Sequence, residues 1–151
     1  MFMNPRLTPP LFFLAALLMF SSCDGSEPDT SCGALGLPAT GSFTATIDGD
    51  AYRADCFQVN LNDGVLSITG FKTSLAEFVL VAVSGTEAGE YRLDIGDGPS
   101  GVSYARPSGG ASYTTGSITI SSFSSGRVSG TFDVSTEDGD RDASGAFDIR
   151  Y

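Results

Sequence analysis

Three cysteines and eighteen carboxylates are the side chains of this 151-residue chain that could take part in chemistry. The sequence contains no histidine, which excludes the Ser-His-Asp triad, the Cys-His dyad and metal sites built on imidazole. It contains no tryptophan either, so one common platform for stacking a sugar ring is missing.

Cys23 is the cysteine that we expect to carry a lipid. It closes residues 20–23 (FSSC), a lipobox-like stretch at the end of the apolar run from Leu11 to Phe20. That run is too short for a membrane helix, which needs roughly 20 apolar residues, and it is typical of the apolar part of a signal peptide. The usual lipobox has Leu where Phe20 stands. The alternatives are an ordinary signal peptide cut near Ser22 and an uncleaved anchor.

Lipidation at Cys23 predicts attachment to the cell envelope. Each buried methylene of an acyl chain contributes about 0.8 kcal/mol, so two or more chains anchor a protein stably. Residues 24–29 (DGSEPD) are acidic, which resembles a surface-export signal in some Gram-negative phyla. An Asp directly after the cysteine instead resembles an inner-membrane retention signal in enterobacteria. We expect the outer membrane, with the leaflet left open.

Cys32 and Cys56 form an even pair in the exported part of the chain. Disulfides form and persist in oxidising compartments such as the periplasm, so we expect these two cysteines to be bonded. The alternative is a pair of free thiols, with Cys56 in the core. Two cysteines without a histidine do not supply the four ligands of a structural zinc site.

The acidic residues include one calcium-like pattern. Asp138, Asp140 and Asp142 alternate along the chain, as ligands do in calcium loops, but an EF-hand would need Gly and Glu where Ala143 and Ile149 stand. These three aspartates are weak calcium candidates, and a solvated acidic turn is the simpler interpretation. Paired carboxylates can also cleave glycosides, but the sequence singles out no pair among its eighteen acids.

Residues 96–101 (GDGPSG) match the G-x-G-x-x-G pattern of dinucleotide-binding sites. In those sites the pattern opens a helix, and here Pro99 and further Gly and Ser residues follow instead, so we expect no nucleotide site. Tyr104 and Tyr113 flank this Gly-rich stretch and have the sequence surroundings of exposed aromatic residues, but packing within a hairpin explains them as well.

The chain is strongly acidic, with a formal net charge of −10. Binding to nucleic acid needs a clustered Lys and Arg surface, so this composition argues against a nucleic-acid partner. It equally disfavours electrostatic docking on an anionic bilayer.

The elements that must position these residues are β-strands. From Ser42 onward apolar residues recur at every second position, as at Phe43, Ala45 and Ile47, and Gly- and Asp-rich turns separate the strands. No segment has apolar residues at helical spacing over three turns. The pattern predicts one antiparallel all-β domain, a sandwich or flattened barrel of about 8–10 strands. We divide the chain into a signal peptide (1–22), a lipidated cysteine with its tether (23–41) and the β domain (42–151).

Three details refine this prediction. The alternation changes phase at Phe57, which predicts a bulge or bend near Cys56. Residues 78–83 are apolar at every position, which is typical of a central strand covered on both faces. Residues 96–110 are predicted to form a loop, with a short strand around Val102 and Tyr104.

Two segments near the end of the chain almost repeat each other. Residues 129–134 (SGTFDV) and 144–149 (SGAFDI) share the same pattern and are joined by an acidic turn. As neighbouring antiparallel strands they would place Phe132 and Phe147 on the same face of a sheet. One duplicated hairpin does not indicate a repeat protein.

Together, the lipobox cysteine and polar tether, residues 43–54 (FTATIDGDAYRA), 89–93 (GEYRL) and 129–132 (SGTF) resemble a family of uncharacterised lipoproteins. These are single-domain all-β lipoproteins of certain Gram-negative phyla. The resemblance covers most of the chain after the signal peptide, and it implies the fold and the envelope location. It supplies no catalytic residues, because the function of that family is itself unknown.

These observations predict a lipid-anchored envelope protein that acts as a non-catalytic binding or accessory module, without a cofactor and with a protein or glycan partner. One alternative is an enzyme that uses carboxylates or bound calcium on envelope or extracellular glycans, which needs an acid of raised pKa in a cleft. The other is a lipocalin-like carrier of small apolar molecules, which needs a hollow barrel.

Overall fold

Eleven β-strands and no helix make up the part of the chain that the structure describes, residues 32–33, 35–94 and 98–151. The structure is a computed structural model. The strands are β1 (Thr40–Ile47), β2 (Asp50–Arg53), β3 (Cys56–Asn62), β4 (Val65–Phe71), β5 (Phe78–Ser84), β6 (Gly89–Leu93), β7 (Gly101–Arg106), β8 (Gly109–Tyr113), β9 (Thr115–Ser124), β10 (Arg127–Ser135) and β11 (Asp142–Arg150). Within these ranges no helix is long and apolar enough to cross a membrane.

The strands form two antiparallel sheets that pack face to face. The six-stranded sheet has the order β2-β1-β11-β10-β9-β6, and the five-stranded sheet has the order β3-β4-β5-β7-β8. Side chains from both sheets fill the space between them, among them the fully buried Phe43, Leu66, Val81 and Ile118. The fold is therefore a sandwich with a packed interior, which confirms the all-β antiparallel prediction and selects the sandwich over the flattened barrel.

The strand count exceeds the prediction because most of the expected loop 96–110 is not a loop. Residues 101–113 form the β7–β8 hairpin, in which only Val102, Tyr104 and Tyr113 are buried in the core. Small residues fill the positions between them, so the apolar alternation in the sequence was too sparse to predict two strands.

The β domain begins slightly before the predicted boundary at Ser42. Strand β1 starts at Thr40, and Gly41 pairs with Ile149 of β11. Gly41 has a φ of 141° and passes close to β11, where a Cβ atom would lie 2.1 Å from the carbonyl oxygen of Asp148. Only glycine fits this start of the strand. In the sequence the same glycine indicated a tether.

The change of phase near Cys56 marks the point where the chain changes sheets. A bend at Asp55 lies between β2, in the six-stranded sheet, and β3, in the five-stranded sheet. Tyr52 faces the core before the bend and Phe57 faces it afterwards. The predicted bend is therefore present, and it carries the chain from one layer of the sandwich to the other.

Strand β5 lies at the centre of its sheet, as predicted. The prediction that both of its faces are covered was wrong. Val79, Val81 and Val83 are fully buried, whereas Phe78, Leu80 and Ala82 on the opposite face are only half-buried. The outward face of this strand is thus apolar without being covered.

The near-repeat forms a reciprocal packing arrangement between β10 and β11. Phe132 and Phe147 lie on the same buried face, as predicted, and each is paired in register with a glycine of the other strand. A Cβ on Gly130 would lie 2.8 Å from Cζ of Phe147, and a Cβ on Gly145 would lie 2.5 Å from Cζ of Phe132. The Ser-Gly-x-Phe pattern is repeated because each glycine makes room for the ring of the opposite strand.

We expect Gly145→Ala to lower the free energy of unfolding by about 1–3 kcal/mol, because the added methyl group forces the Phe132 ring out of its position. The matched control is Gly89→Ala, where a Cβ meets no atom within 4 Å, and a change of less than about 0.5 kcal/mol is expected there. Urea unfolding of both variants measures the difference. Equal losses would contradict the reciprocal packing.

Candidate functional site

The predicted disulfide is present. Cys32 and Cys56 are bonded, with their Cα atoms 5.3 Å apart. Cys56 is fully buried at the start of the edge strand β3, so the bond fastens the segment around Cys32 to this edge of the five-stranded sheet. The predicted lipidation site, Cys23, lies outside the described residues.

The predicted calcium candidates lie in the turn between β10 and β11. One carboxylate oxygen of Asp138 accepts hydrogen bonds from the Thr136 hydroxyl at 2.5 Å and the Asp140 backbone N–H at 3.2 Å. These bonds lower the pKa of Asp138 below its usual value. In the described ranges, no three acidic or cysteine side chains converge as ligands for a metal ion. Asp138 stabilises its own turn, while Asp142 is the first residue of β11.

A cleft between the two sheets is the concave feature with the greatest convergence of polar side chains. It has a volume of about 270 Å³ and lies where the β1–β2 turn faces the ends of β5 and β7. Its lining residues are Ile47, Asp48, Asp50, Ala51, Tyr52, Glu77, Tyr104 and Arg106. A depression of about 610 Å³ beside the β10–β11 turn is larger but shallow. We therefore take the cleft as the candidate site.

The β1–β2 turn places two carboxylates at the rim of the cleft. Asp48 and Gly49 have φ values of 51° and 85° between Ile47 and Asp50, as the two central residues of a tight Asp-Gly hairpin require. The Asp48 carboxylate accepts a hydrogen bond from Nε of Arg141 at 2.8 Å and also pairs with Nη2 of that residue. Nη1 of Arg141 donates to the Gly110 carbonyl oxygen at 3.1 Å, so this arginine links the two sheets beside the cleft.

Two buried tyrosines and a glutamate form the polar floor of the cleft. The Tyr104 hydroxyl donates to the Glu77 carboxylate at 2.9 Å, and the Tyr52 hydroxyl donates to the Gly70 carbonyl oxygen at 2.7 Å. Burial, assisted by the nearby Glu77 carboxylate, raises the pKa of Tyr52 and of Tyr104 above the usual value. Both hydroxyls thus donate their protons to acceptors within the protein.

Two cations lie over these aromatic rings. Cζ of Arg106 is 5.7 Å from the centre of the Tyr104 ring, and Nζ of Lys72 is 5.0 Å from that of Tyr52. Such contacts hold a charged side chain at an aromatic face at little cost in desolvation. Arg106 lines the same cleft as Asp50 and Glu77, a combination of charges suited to a polar ligand that both donates and accepts hydrogen bonds.

Of the two interpretations of Tyr104 and Tyr113, the structure selects packing within a hairpin over exposure. Tyr104 is 7% exposed and Tyr113 is fully buried, because both side chains point into the core from β7 and β8. The buried hydroxyl of Tyr113 has no hydrogen-bond partner among the described residues. Burial, and next the nearby Asp48 carboxylate, raise the pKa of Tyr113.

We expect the two buried hydroxyls to respond oppositely to removal. Tyr52→Phe leaves the buried Gly70 carbonyl without this donor and should lower the free energy of unfolding by about 1–2 kcal/mol. Tyr113→Phe deletes a hydroxyl that has no partner, so it should leave the stability unchanged or slightly raised. Thermal unfolding of the two variants makes the comparison. A larger loss for Tyr113→Phe would show that its hydroxyl is satisfied.

The sequence did not predict this cleft. Neither the alternation of apolar residues nor any motif in the sequence singled out Glu77 or Arg106. They converge because the β4–β5 turn, the end of β7 and the β1–β2 hairpin meet at the same end of the sandwich. That meeting depends on how the sheets pack, for which the sequence carries no local signal.

These features define a class of protein, namely an acidic, disulfide-linked β-sandwich with a small polar cleft. Residues 39–148 match the family model described as Domain of unknown function (DUF6252), so the chain belongs to that family. The match confirms the predicted resemblance to uncharacterised single-domain proteins. No curated protein and no solved structure matches the chain.

Proposed function

We propose that this protein is a lipid-anchored binding module of the bacterial cell envelope, and that its cleft binds a hydroxyl-rich ligand such as one unit of an envelope glycan. The lipobox-like residues 20–23 support the anchor. The Cys32–Cys56 bond supports an oxidising compartment outside the cytoplasm, where disulfides persist. The acidic composition makes nucleic acid an unsuitable partner.

One observation carries the binding role: the polar groups of the cleft are already arranged as fixed donors and acceptors. The Glu77 carboxylate is held in place by the Tyr104 hydroxyl at 2.9 Å. Arg106 is held over the Tyr104 ring. Groups that are held in place suit recognition, and a few such groups in a concave site fix the orientation of a ligand.

We expect Glu77→Ala to weaken glycan binding by about 10- to 100-fold, because a hydrogen bond to a charged group contributes about 1.5–3 kcal/mol. The probes are muropeptides released from peptidoglycan and oligosaccharides released from lipopolysaccharide, titrated calorimetrically. The matched control is Glu90→Ala, which removes an exposed carboxylate from the outer face of the other sheet. Equal affinity of both variants, or no binding of either probe, would contradict the proposal.

The enzyme alternative would use the same cleft. Asp48, Asp50 and Glu77 all line it, and two carboxylates on opposite sides of a sugar are the minimum for glycoside hydrolysis. Cleavage of the same oligosaccharides by the purified protein, and its loss in Glu77→Gln, would favour this alternative. The carrier alternative has less support, since packed side chains occupy the space between the sheets.

A further inference from the structure

The outer face of the five-stranded sheet carries no charged side chain. On β3, β4, β5, β7 and β8 the residues that alternate with core positions are all apolar, amide, hydroxyl, cysteine or glycine residues. The apolar ones are Val65, Phe71, Phe78, Leu80, Ala82 and Ala105, and all are half-buried. We call this surface the uncharged face.

The opposite surface of the sandwich is different. The outer face of the six-stranded sheet carries acidic and basic residues on most of its strands, including Arg53, Glu90, Arg127, Asp133 and Asp148. Arg127 and Asp148 form an ion pair across β10 and β11, with bonds of 2.9 and 2.6 Å. The chain has a net charge of −10, so the absence of charged side chains from one whole sheet face indicates that this face contacts an apolar partner.

The apolar residues are concentrated at the end of this face that holds the disulfide. Cys56, Phe71, Phe78 and Ala105 are register partners in one row across four strands. The rings of Phe71 and Phe78 lie 5.9 Å apart. Leu75, in the turn that joins these two phenylalanines, is 39% exposed and has a φ of 55°.

The disulfide places Cys32 beside this row. Cys32 is bonded to Cys56, and the eight residues 24–31 separate Cys32 from Cys23. Eight residues can span at most about 28 Å. They include three acids and no aliphatic or aromatic side chain, so they are not complementary to an apolar surface. An anchor at Cys23 therefore keeps this end of the uncharged face close to the membrane.

We propose that the uncharged face docks on the lipid surface to which the chain is anchored, with the Phe71–Phe78 row at the boundary between headgroups and acyl chains. This inference rests on the proposed lipid anchor at Cys23. It also accounts for the distribution of charge, since an anionic leaflet repels acidic surfaces and tolerates an uncharged one. Apolar side chains at this depth add to the binding that the acyl chains supply.

The absence of tryptophan from the chain makes a direct test possible. Phe78→Trp places one indole on the uncharged face, and Thr131→Trp places one at an exposed position on the central strand β10 of the other sheet. The full-length lipidated protein, purified from membranes, is reconstituted into vesicles of phosphatidylethanolamine and phosphatidylglycerol with brominated acyl chains. We expect the emission of Phe78→Trp to shift to the blue and to fall by about half, as for a group 5–10 Å deep, with no change for Thr131→Trp.

The remaining outcomes overturn the inference in distinguishable ways. Acylated protein in which neither indole is quenched, or both equally, refutes the docking and leaves the anchor intact. Protein without acyl mass refutes the anchor and the docking with it. A blue shift of Phe78→Trp that grows with protein concentration without lipid assigns the face to a second copy of the chain. Leu80→Trp, in the middle of the same face, repeats the test if the Phe78 variant does not fold.

Discussion

Replacing Phe43 with alanine is expected to lower the free energy of unfolding by about 3–5 kcal/mol. This is the largest loss of stability that we expect from a single substitution in this protein. Phe43 is fully buried at the centre of an aromatic cluster. Its ring centre lies 6.0 Å from that of Phe147, 6.1 Å from that of Phe132 and 6.5 Å from that of Tyr52. Truncation would leave a cavity that these rings cannot fill, because glycines at the neighbouring positions already fix where they lie.

The matched control for this variant is Leu61→Ala. Leu61 also lies on a strand, but it is 55% exposed, so a change of less than about 0.5 kcal/mol is expected. Guanidinium unfolding followed by circular dichroism measures both variants. A loss below about 1 kcal/mol for Phe43→Ala would mean that the core can collapse around the vacancy, and the packing described for Gly130 and Gly145 would be wrong.

Removing the disulfide is the second large effect. The Cys32→Ser/Cys56→Ala double variant is expected to lose about 3.5 kcal/mol of stability, because a bond across a sequence separation of 24 restricts the unfolded chain. The alanine avoids placing a hydroxyl at the fully buried position of Cys56. Stability in urea would be compared with that of the native protein, with and without a reducing agent.

The reducing agent supplies the control for this prediction. Reduction should destabilise the native protein by about the same amount as the double substitution and should leave the double variant unchanged. A native protein whose unfolding midpoint does not respond to the reductant would contradict the assigned bond.

The sequence predicted the parts of the fold that depend on alternation. Phe43, Ala45 and Ile47 predicted β1, and the Ser-Gly-x-Phe repeat predicted that Phe132 and Phe147 share a face. In the β7–β8 hairpin the short strand around Val102 and Tyr104 was predicted, and β8 was missed because Tyr113 is its one fully buried residue. Alternation reports which side chains are buried, and small residues on both sides of a strand weaken that signal.

The candidate site could not be predicted from short stretches of sequence, for a different reason. Glu77 and Tyr104 are 27 residues apart in sequence, and their hydrogen bond joins a turn to a neighbouring strand. Asp48 and Arg141 are separated by 93 residues. Such pairs are set by the order of strands in the sheets, which alternation within one strand does not specify. The disulfide could be predicted because cysteine chemistry and compartment restrict the possible partners.

The cleft and the uncharged face suggest a division of roles within one small domain. The cleft lies at the end of the sandwich where the β1–β2 turn meets β5 and β7. Arg106, which lines the cleft, directly follows Ala105, a member of the Phe71–Phe78 row. A domain docked through its five-stranded sheet would hold this end close to the membrane. Ligands attached to or near the lipid surface would then be within reach of Glu77 and Arg106.

The most direct test of the central claim, that this is a lipid-anchored and disulfide-linked envelope protein, is the intact mass of the protein purified from membranes, measured with and without reduction. We expect a chain that starts at Cys23 and carries acyl mass, and whose mass rises by that of two hydrogens when the Cys32–Cys56 bond is reduced. A chain cut near Ser22 without acyl mass, or a chain whose mass does not change on reduction, would contradict the account.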